Sequence, residues 1–171
     1  MSIAWKRAIA WIAGGLVLGI GGVYAELVRE LHARDPVSLL ACMEVEQPWF
    51  GWTCKQVLTR SALTPDQVVA LNTRAGALFP LLATDTAEAE EMLELFISRG
   101  VDINAGDVNA GHWTALHTIV AEGNVDRVKL LLAHGAKGNV GNDDGESPLD
   151  MARRMAALRP GDPNRQVSCR S

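Results

Sequence analysis

Four histidines, 20 acidic side chains and three cysteines are the groups of this 171-residue chain best equipped for chemistry. Their spacing argues against it. His32, His112, His117 and His134 form no His-Glu-x-x-His pair, and the cysteines form no Cys-x-x-Cys pair that would suggest a metal or redox centre. The chain holds neither the Gly-x-Ser-x-Gly turn that exposes a nucleophilic serine nor a Walker phosphate loop. Gly19-Ile-Gly21 starts like a dinucleotide fingerprint but places Tyr24 where a third glycine is required. Asn142-Asp-Asp-Gly145 looks superficially like a calcium loop. Aligning Gly145 with the obligatory glycine of such a loop puts Val140 at the first ligand position and Met151 at the last. The expectation is a non-enzymatic protein with no cofactor and no metal.

Charge narrows the partner. Residues 1–25 contain Lys6 and Arg7 and no acid, so the rest of the chain carries a formal charge of −6. A phosphate backbone would be repelled, so nucleic acid is not expected as a partner, and a neutral or basic protein is.

The elements that would position these residues begin with an apolar segment. Ala8–Ala25 runs 18 residues without a formal charge before Glu26. As a helix it would extend roughly 27 Å, enough to cross a bilayer core of about 30 Å with snorkelling flanks. Trp11 and Tyr24 lie near its ends, where amphipathic rings favour the interface. Two outcomes stay open. The favoured one is an uncleaved single-pass anchor in the inner membrane, with the N-terminus cytoplasmic and the remainder in the periplasm, as Lys6 and Arg7 suggest. The other is a signal peptide cut after Ala25, which would leave a soluble periplasmic protein. Gly15, Gly19 and Gly22 share one helical face, a surface on which two copies would pack closely in lipid. Leu39-Leu-Ala-Cys42 follows a charged stretch rather than an apolar one, so it is not read as a lipidation signal.

Residues 26–76 read as a helical linker and N-terminal cap. Asp35-Pro36 interrupts the helix leaving the membrane, and Val37–Val45 is a short helical candidate. Gln47-Pro-Trp-Phe-Gly-Trp52 reads as an aromatic loop, with sealing of the repeat stack, partner binding and membrane contact all open to it. Cys42 and Cys54 flank that loop. A disulfide between them in a translocated domain would contribute on the order of 3 kcal/mol of loop entropy, and two free buried thiols are the alternative. Thr64-Pro-Asp-Gln67 is a helix start, with a capping threonine, proline at the first helical position and glutamine placed for a capping box.

Beyond this point one phrase is written twice: Arg99-Gly-Val-Asp-Ile-Asn104 and His134-Gly-Ala-Lys-Gly-Asn139. Each leads through a polar loop to a helix start, Thr114-Ala-Leu-His117 and Ser147-Pro-Leu-Asp150. The glycines are 35 residues apart and Leu116 and Leu149 are 33 apart, the period of a turn plus two short antiparallel helices. Thr114 through Ala136, with its Thr-Ala-Leu-His opening, Gly123 reversal, Leu130-Leu-Leu132 run and Gly135 stop, resembles an ankyrin repeat. A degenerate copy precedes it, opening at Phe79-Pro-Leu-Leu82 with a second helix over Glu88–Ser98, and a truncated copy opens at Ser147. Residues 77–158 carry the resemblance, and 159–171 read as a flexible tail.

The resemblance implies an all-α stack of helix-turn-helix repeats with hairpin loops, built to bind protein. It gives His117 a structural role in organising turns, and His134 sits at a helix C-terminus that favours positive charge. The loop from Asn104 to Thr114 is two residues longer than the one from Asn139 to Ser147. The residues expected to meet a partner are Asp107, Asn109, His112 and Trp113 on this longer finger. Across the groove, Glu122, Asn142, Asp143, Asp144 and Glu146 complete the set. The functional expectation is a protein-binding module at a bacterial membrane, a scaffold for an enzyme or an inhibitor such as a toxin-immunity protein. The alternative is a structural subunit that multimerises through the Gly15/Gly19 face and the aromatic loop.

Overall fold

A computed structural model describes residues 19–44, 48–61, 63–83 and 85–158. The chain divides after Ser61 into two compact units. Most of the uncharged N-terminal segment, with Gly15, lies outside the described residues. Among the described residues no helix is long and apolar enough to cross a membrane.

The described residues of the first unit form three helices. The described part of α1 covers 19–32, α2 covers Pro36–Met43 and α3 covers Pro48–Arg60. Asp35 stops the chain from running straight through. Its side chain caps α2 by accepting from the Ser38 backbone N–H at 2.9 Å and the Ser38 hydroxyl at 2.7 Å, with Pro36 at the first helical position. A disulfide joins Cys42 of α2 to Cys54 of α3, so the pairing of these two cysteines is the one the structure adopts. The expected aromatic loop is not a loop. Pro48 opens α3, and Trp49, Phe50 and Trp52 lie in its first turns, because proline at a helix start withholds only an N–H that has no helical acceptor anyway. Trp49 and Trp52 are both exposed.

The second unit is the repeat stack. Helix α4 spans Pro65–Asn72, and its capping box forms as expected, Thr64 accepting from the Gln67 N–H while the Gln67 side chain accepts from the Thr64 N–H. The helix expected to open the first repeat is instead a 3₁₀ turn over Gly76–Leu82. Pro80 disfavours an α-turn here, because its ring would clash with the Gly76 carbonyl four residues back. Helix α5 follows at Thr86–Ser98. A two-strand hairpin then pairs β1, Gly106–Asp107, with β2, Trp113–Thr114. Helices α6 (Ala115–Glu122) and α7 (Val125–Ala133) form the complete repeat, and α8 (Pro148–Leu158) opens the last.

The core of this unit is continuous through the repeats. Ala77, Leu81, Leu93, Ile103, Leu116, Ile119, Val128, Leu131 and Met151 pack into one buried cluster. In a repeat stack each unit buries its apolar face against its neighbours, so each repeat's stability depends on them. Both outer helices end in the same way. The Val101 N–H bonds to the Phe96 carbonyl and the Ala136 N–H to the Leu131 carbonyl, across Gly100 and Gly135 at φ +94° and +92°. Only glycine holds that left-handed geometry without strain, which is why the repeated phrase carries it.

Candidate functional site

The region able to receive a partner is assembled from loops seated on capped helices. Thr114 caps α6, and His117 completes the box from inside the fold, fully buried. The Thr114 N–H lies 3.1 Å from His117 Nδ1, so Nδ1 accepts and carries no proton. Nε2 therefore donates, to the Glu146 carbonyl 3.0 Å away in the following loop. One ring thus fixes the start of α6 and the next finger together, and both its nitrogens are committed to structure. In the last repeat Asp150 plays the corresponding part. The Ser147 hydroxyl donates to its Oδ2 at 2.6 Å, and that bond, followed by the Ser147 N–H, holds the Asp150 carboxyl below the ordinary aspartate range.

Two asparagines, one ending α4 and one in the loop after α5, each tie their unit to the loop that follows the next outer helix. Asn72 Oδ1 accepts from the Asp102 N–H at 2.9 Å and Nδ2 donates to the Gly100 carbonyl at 3.4 Å. Asn104 repeats the pattern one unit on, accepting from the Lys137 N–H at 2.7 Å and donating to the Gly135 carbonyl at 3.4 Å. The repeated Arg99…Asn104 and His134…Asn139 phrases showed Asn104 as a periodic residue. Asn72 lies outside any repeated phrase and was not legible.

The enlarged finger sits on these rungs. Gly106 pairs with Thr114 and Asp107 with Trp113, while Arg74 bridges to Asp107 and the Val108 N–H donates to the Thr73 carbonyl at 3.0 Å. On the other flank the Asp143 N–H donates to the Gly111 carbonyl at 2.9 Å, and the Asp143 carboxylate meets His112 Nδ1 at 2.7 Å. Gly106 is required at the base: a methyl group there would lie 2.5 Å from the His112 carbonyl oxygen. His112 itself adopts φ +55°, an unusual conformation for a non-glycine residue, held by its N–H donating to the Asp107 carbonyl at 2.8 Å. The finger is fastened on both sides, and its tip, Val108, Asn109 and Ala110, is exposed.

The expected contact residues divide by what the structure does with them. Asn109, His112, Glu122, Asp143 and Asp144 are exposed. Asp107 is half-buried, and its Oδ1 accepts from the Asn109 N–H at 2.8 Å, so it shapes the tip. Trp113 is also half-buried and lies stacked over His117, with ring centroids 6.0 Å apart. Asn142 is largely buried, its Oδ1 accepting from the Asp144 N–H at 3.0 Å and the Glu146 N–H at 2.9 Å, so this oxygen builds the turn. Glu146 is held by Arg154 through a two-pronged ion pair at 2.7 and 3.0 Å. Val108 and Ala110 were missed, since nothing in their types distinguishes them until the backbone lifts them to the tip. Behind the loops, Leu116, Val120, Val128, Leu132, Pro148 and Leu149 line an apolar cleft of ≈ 190 Å³. In the first unit Gly19 and Gly22 are exposed, with open space where a Cβ would stand.

Comparison with known proteins bears on the repeats. The family model described as ankyrin repeats in three copies matches residues 81–158. An ankyrin repeat protein of fowlpox virus is 37% identical over 75 residues, covering 44% of this chain and 22% of the viral protein. The mouse B-cell lymphoma 3 protein homolog is 32% identical over 132 residues, 77% of this chain and 28% of that protein. The mouse inhibitor of Bruton tyrosine kinase is 42% identical over 60 residues, 35% of this chain and 4% of that protein. The chain thus spans less than a third of the length of each of these relatives.

Proposed function

Because this chain belongs, through residues 81–158, to the ankyrin-repeat family, whose fold serves protein–protein interaction, we propose that it is a non-enzymatic binding module. In this reading it is held at a bacterial inner membrane by residues 8–25 and captures a protein partner on the Ala105–Trp113 finger. The observation that carries the proposal is the finger itself. It is longer than its counterpart, anchored at Thr73, Arg74 and Asp143, and exposed at Val108, Asn109 and Ala110. A rigidly based loop presents a tip at low entropic cost, which is what preorganised recognition needs. Asp144 in the adjoining loop and Glu122 at the C-terminal end of α6 add exposed negative charge, suited to a neutral or basic partner surface.

Two features support the membrane and compartment. The uncharged stretch Ala8–Ala25 continues into described helix where Ile20, Val23 and Tyr24 are exposed, an unfavourable arrangement in water and a favourable one in lipid. The Cys42–Cys54 disulfide suits an oxidising compartment such as the periplasm. A reporter active only outside the cytoplasm, fused after Ser171, should be active; silence would reverse the topology.

Capture of partners from detergent-solubilised membranes tests the binding role. Val108→Ser with Asn109→Ala should remove the partner that wild type retains while thermal unfolding stays unchanged. An unaltered set of captured proteins would dismiss the finger as the binding surface. The captured protein's own activity then separates two roles: retained or raised for a scaffold, lost for an inhibitor of a toxin.

A further inference from the structure

His134 is a second histidine held by structure, and one of its nitrogens is left facing negative charge. Nδ1 lies 2.9 Å from the Leu130 carbonyl, which can only accept, so Nδ1 bears the proton of the neutral ring. Nε2 then directs a lone pair toward Glu94 Oε1 at 3.3 Å and Glu90 Oε1 at 4.0 Å. The two glutamates are one turn apart on α5, whereas the histidine comes from the end of α7 in the following repeat. One nitrogen and two oxygens, one from each residue, lie within 4.8 Å of one another, the only such group among the described residues. With Nε2 unprotonated, three electron-rich atoms face one another, and either a proton on Nε2 or a metal ion among them relieves the repulsion.

We propose that Glu90, Glu94 and His134 form a binding site for a divalent metal ion of the zinc class that fastens neighbouring repeats together. A proton on Nε2 bonds well to only one carboxylate at a time, whereas a metal ion engages all three groups at once. The geometry is close to what that requires. Ligands about 2.1 Å from a tetrahedral zinc lie roughly 3.4 Å apart. The Nε2–Glu94 separation already matches at 3.3 Å, and the exposed Glu90 side chain has little distance to close from 4.0 Å. The orienting partner is also in place, since metal-bound histidines donate their other ring N–H to a carbonyl or carboxylate, here the Leu130 carbonyl. One imidazole with two carboxylates and no thiolate suits Zn²⁺, with water completing the shell. The raised pKa of His134, caused first by the Leu130 bond and then by Glu94 and Glu90, expresses the same demand for positive charge.

The test uses the full chain in detergent with Cys169→Ser, which removes the one thiol outside the disulfide. Equilibrium dialysis against Zn²⁺ should give one ion per chain, and Co²⁺ should produce the visible absorption of a low-symmetry, four-coordinate site. Glu94→Gln and His134→Gln should each weaken Zn²⁺ binding at least tenfold and abolish the Co²⁺ absorption, with circular dichroism unchanged. Zn²⁺ should raise the melting temperature of the parent and not of the variants. Glu90→Gln, at another exposed position of α5, gives the same reading should either of the other two fold poorly. Binding that persists in the variants, binding matched by Mg²⁺ at equal concentration, or no stoichiometric binding at all would overturn the proposal.

Discussion

Individual side chains in this protein act mainly by fixing loops, and two of them make quantitative expectations. Gly106 leaves no room for a Cβ, since the backbone oxygen of His112 would lie at 2.5 Å. Backbone cannot withdraw as a flexible side chain can, so Gly106→Ala should cost about 1–3 kcal/mol by analogy with other overpacking substitutions. The urea midpoint of the repeat unit measures it, and an unchanged midpoint would mean the hairpin base is mobile. Acid provides the second expectation. Asp35 is held below the ordinary aspartate range chiefly by the Ser38 hydroxyl, and Asp150 by the Ser147 hydroxyl. Folded values below unfolded ones mean that the unfolded chain binds more protons, so stability rises with pH. Their contribution is complete above the unfolded value of about 3.9 and disappears as pH falls through the lower folded values. Ser147→Ala should flatten the acid limb of the melting-temperature curve; a curve superimposable on wild type would remove Asp150 from it.

At the level of elements, the disulfide and the repeats carry different lessons. Cys42–Cys54 closes a span of 12 positions between α2 and α3, for which loop entropy predicts about 3 kcal/mol. Reduction should therefore lower the melting temperature of the first unit and leave that of the repeats in place. A single transition shifting as a whole would show the two units to be thermodynamically coupled. The elements most legible from sequence were those whose local chemistry and periodicity agree. Thr64 with Gln67, Thr114 with His117, and the glycines ending α5 and α7 are examples. Two elements were misread through proline. Pro48 looked like a loop residue and opens α3, while Pro80 looked like the opening of an α-helix and lies within a 3₁₀ turn. The same residue type is compatible with both outcomes, and its position relative to the first turn decides. At the finger, length and place were readable. The inward roles of Asn142 and Trp113, and the outward ones of Val108 and Ala110, depend on backbone paths through His112 and Gly111 at positive φ that no spacing rule reveals.

For the molecule as a whole, the proposed account joins a membrane-proximal helical unit to a short repeat stack whose irregular loop does the recognising. Its central claim is that the Ala105–Trp113 finger, and not the repeat surface in general, meets the partner. Site-specific photo-crosslinking in living cells tests this most directly, with a photoreactive residue at Asn109 and, as control, at exposed Lys129 on α7. A discrete adduct is expected from position 109 and none from position 129. No adduct at 109, or the same adducts from both positions, would contradict it.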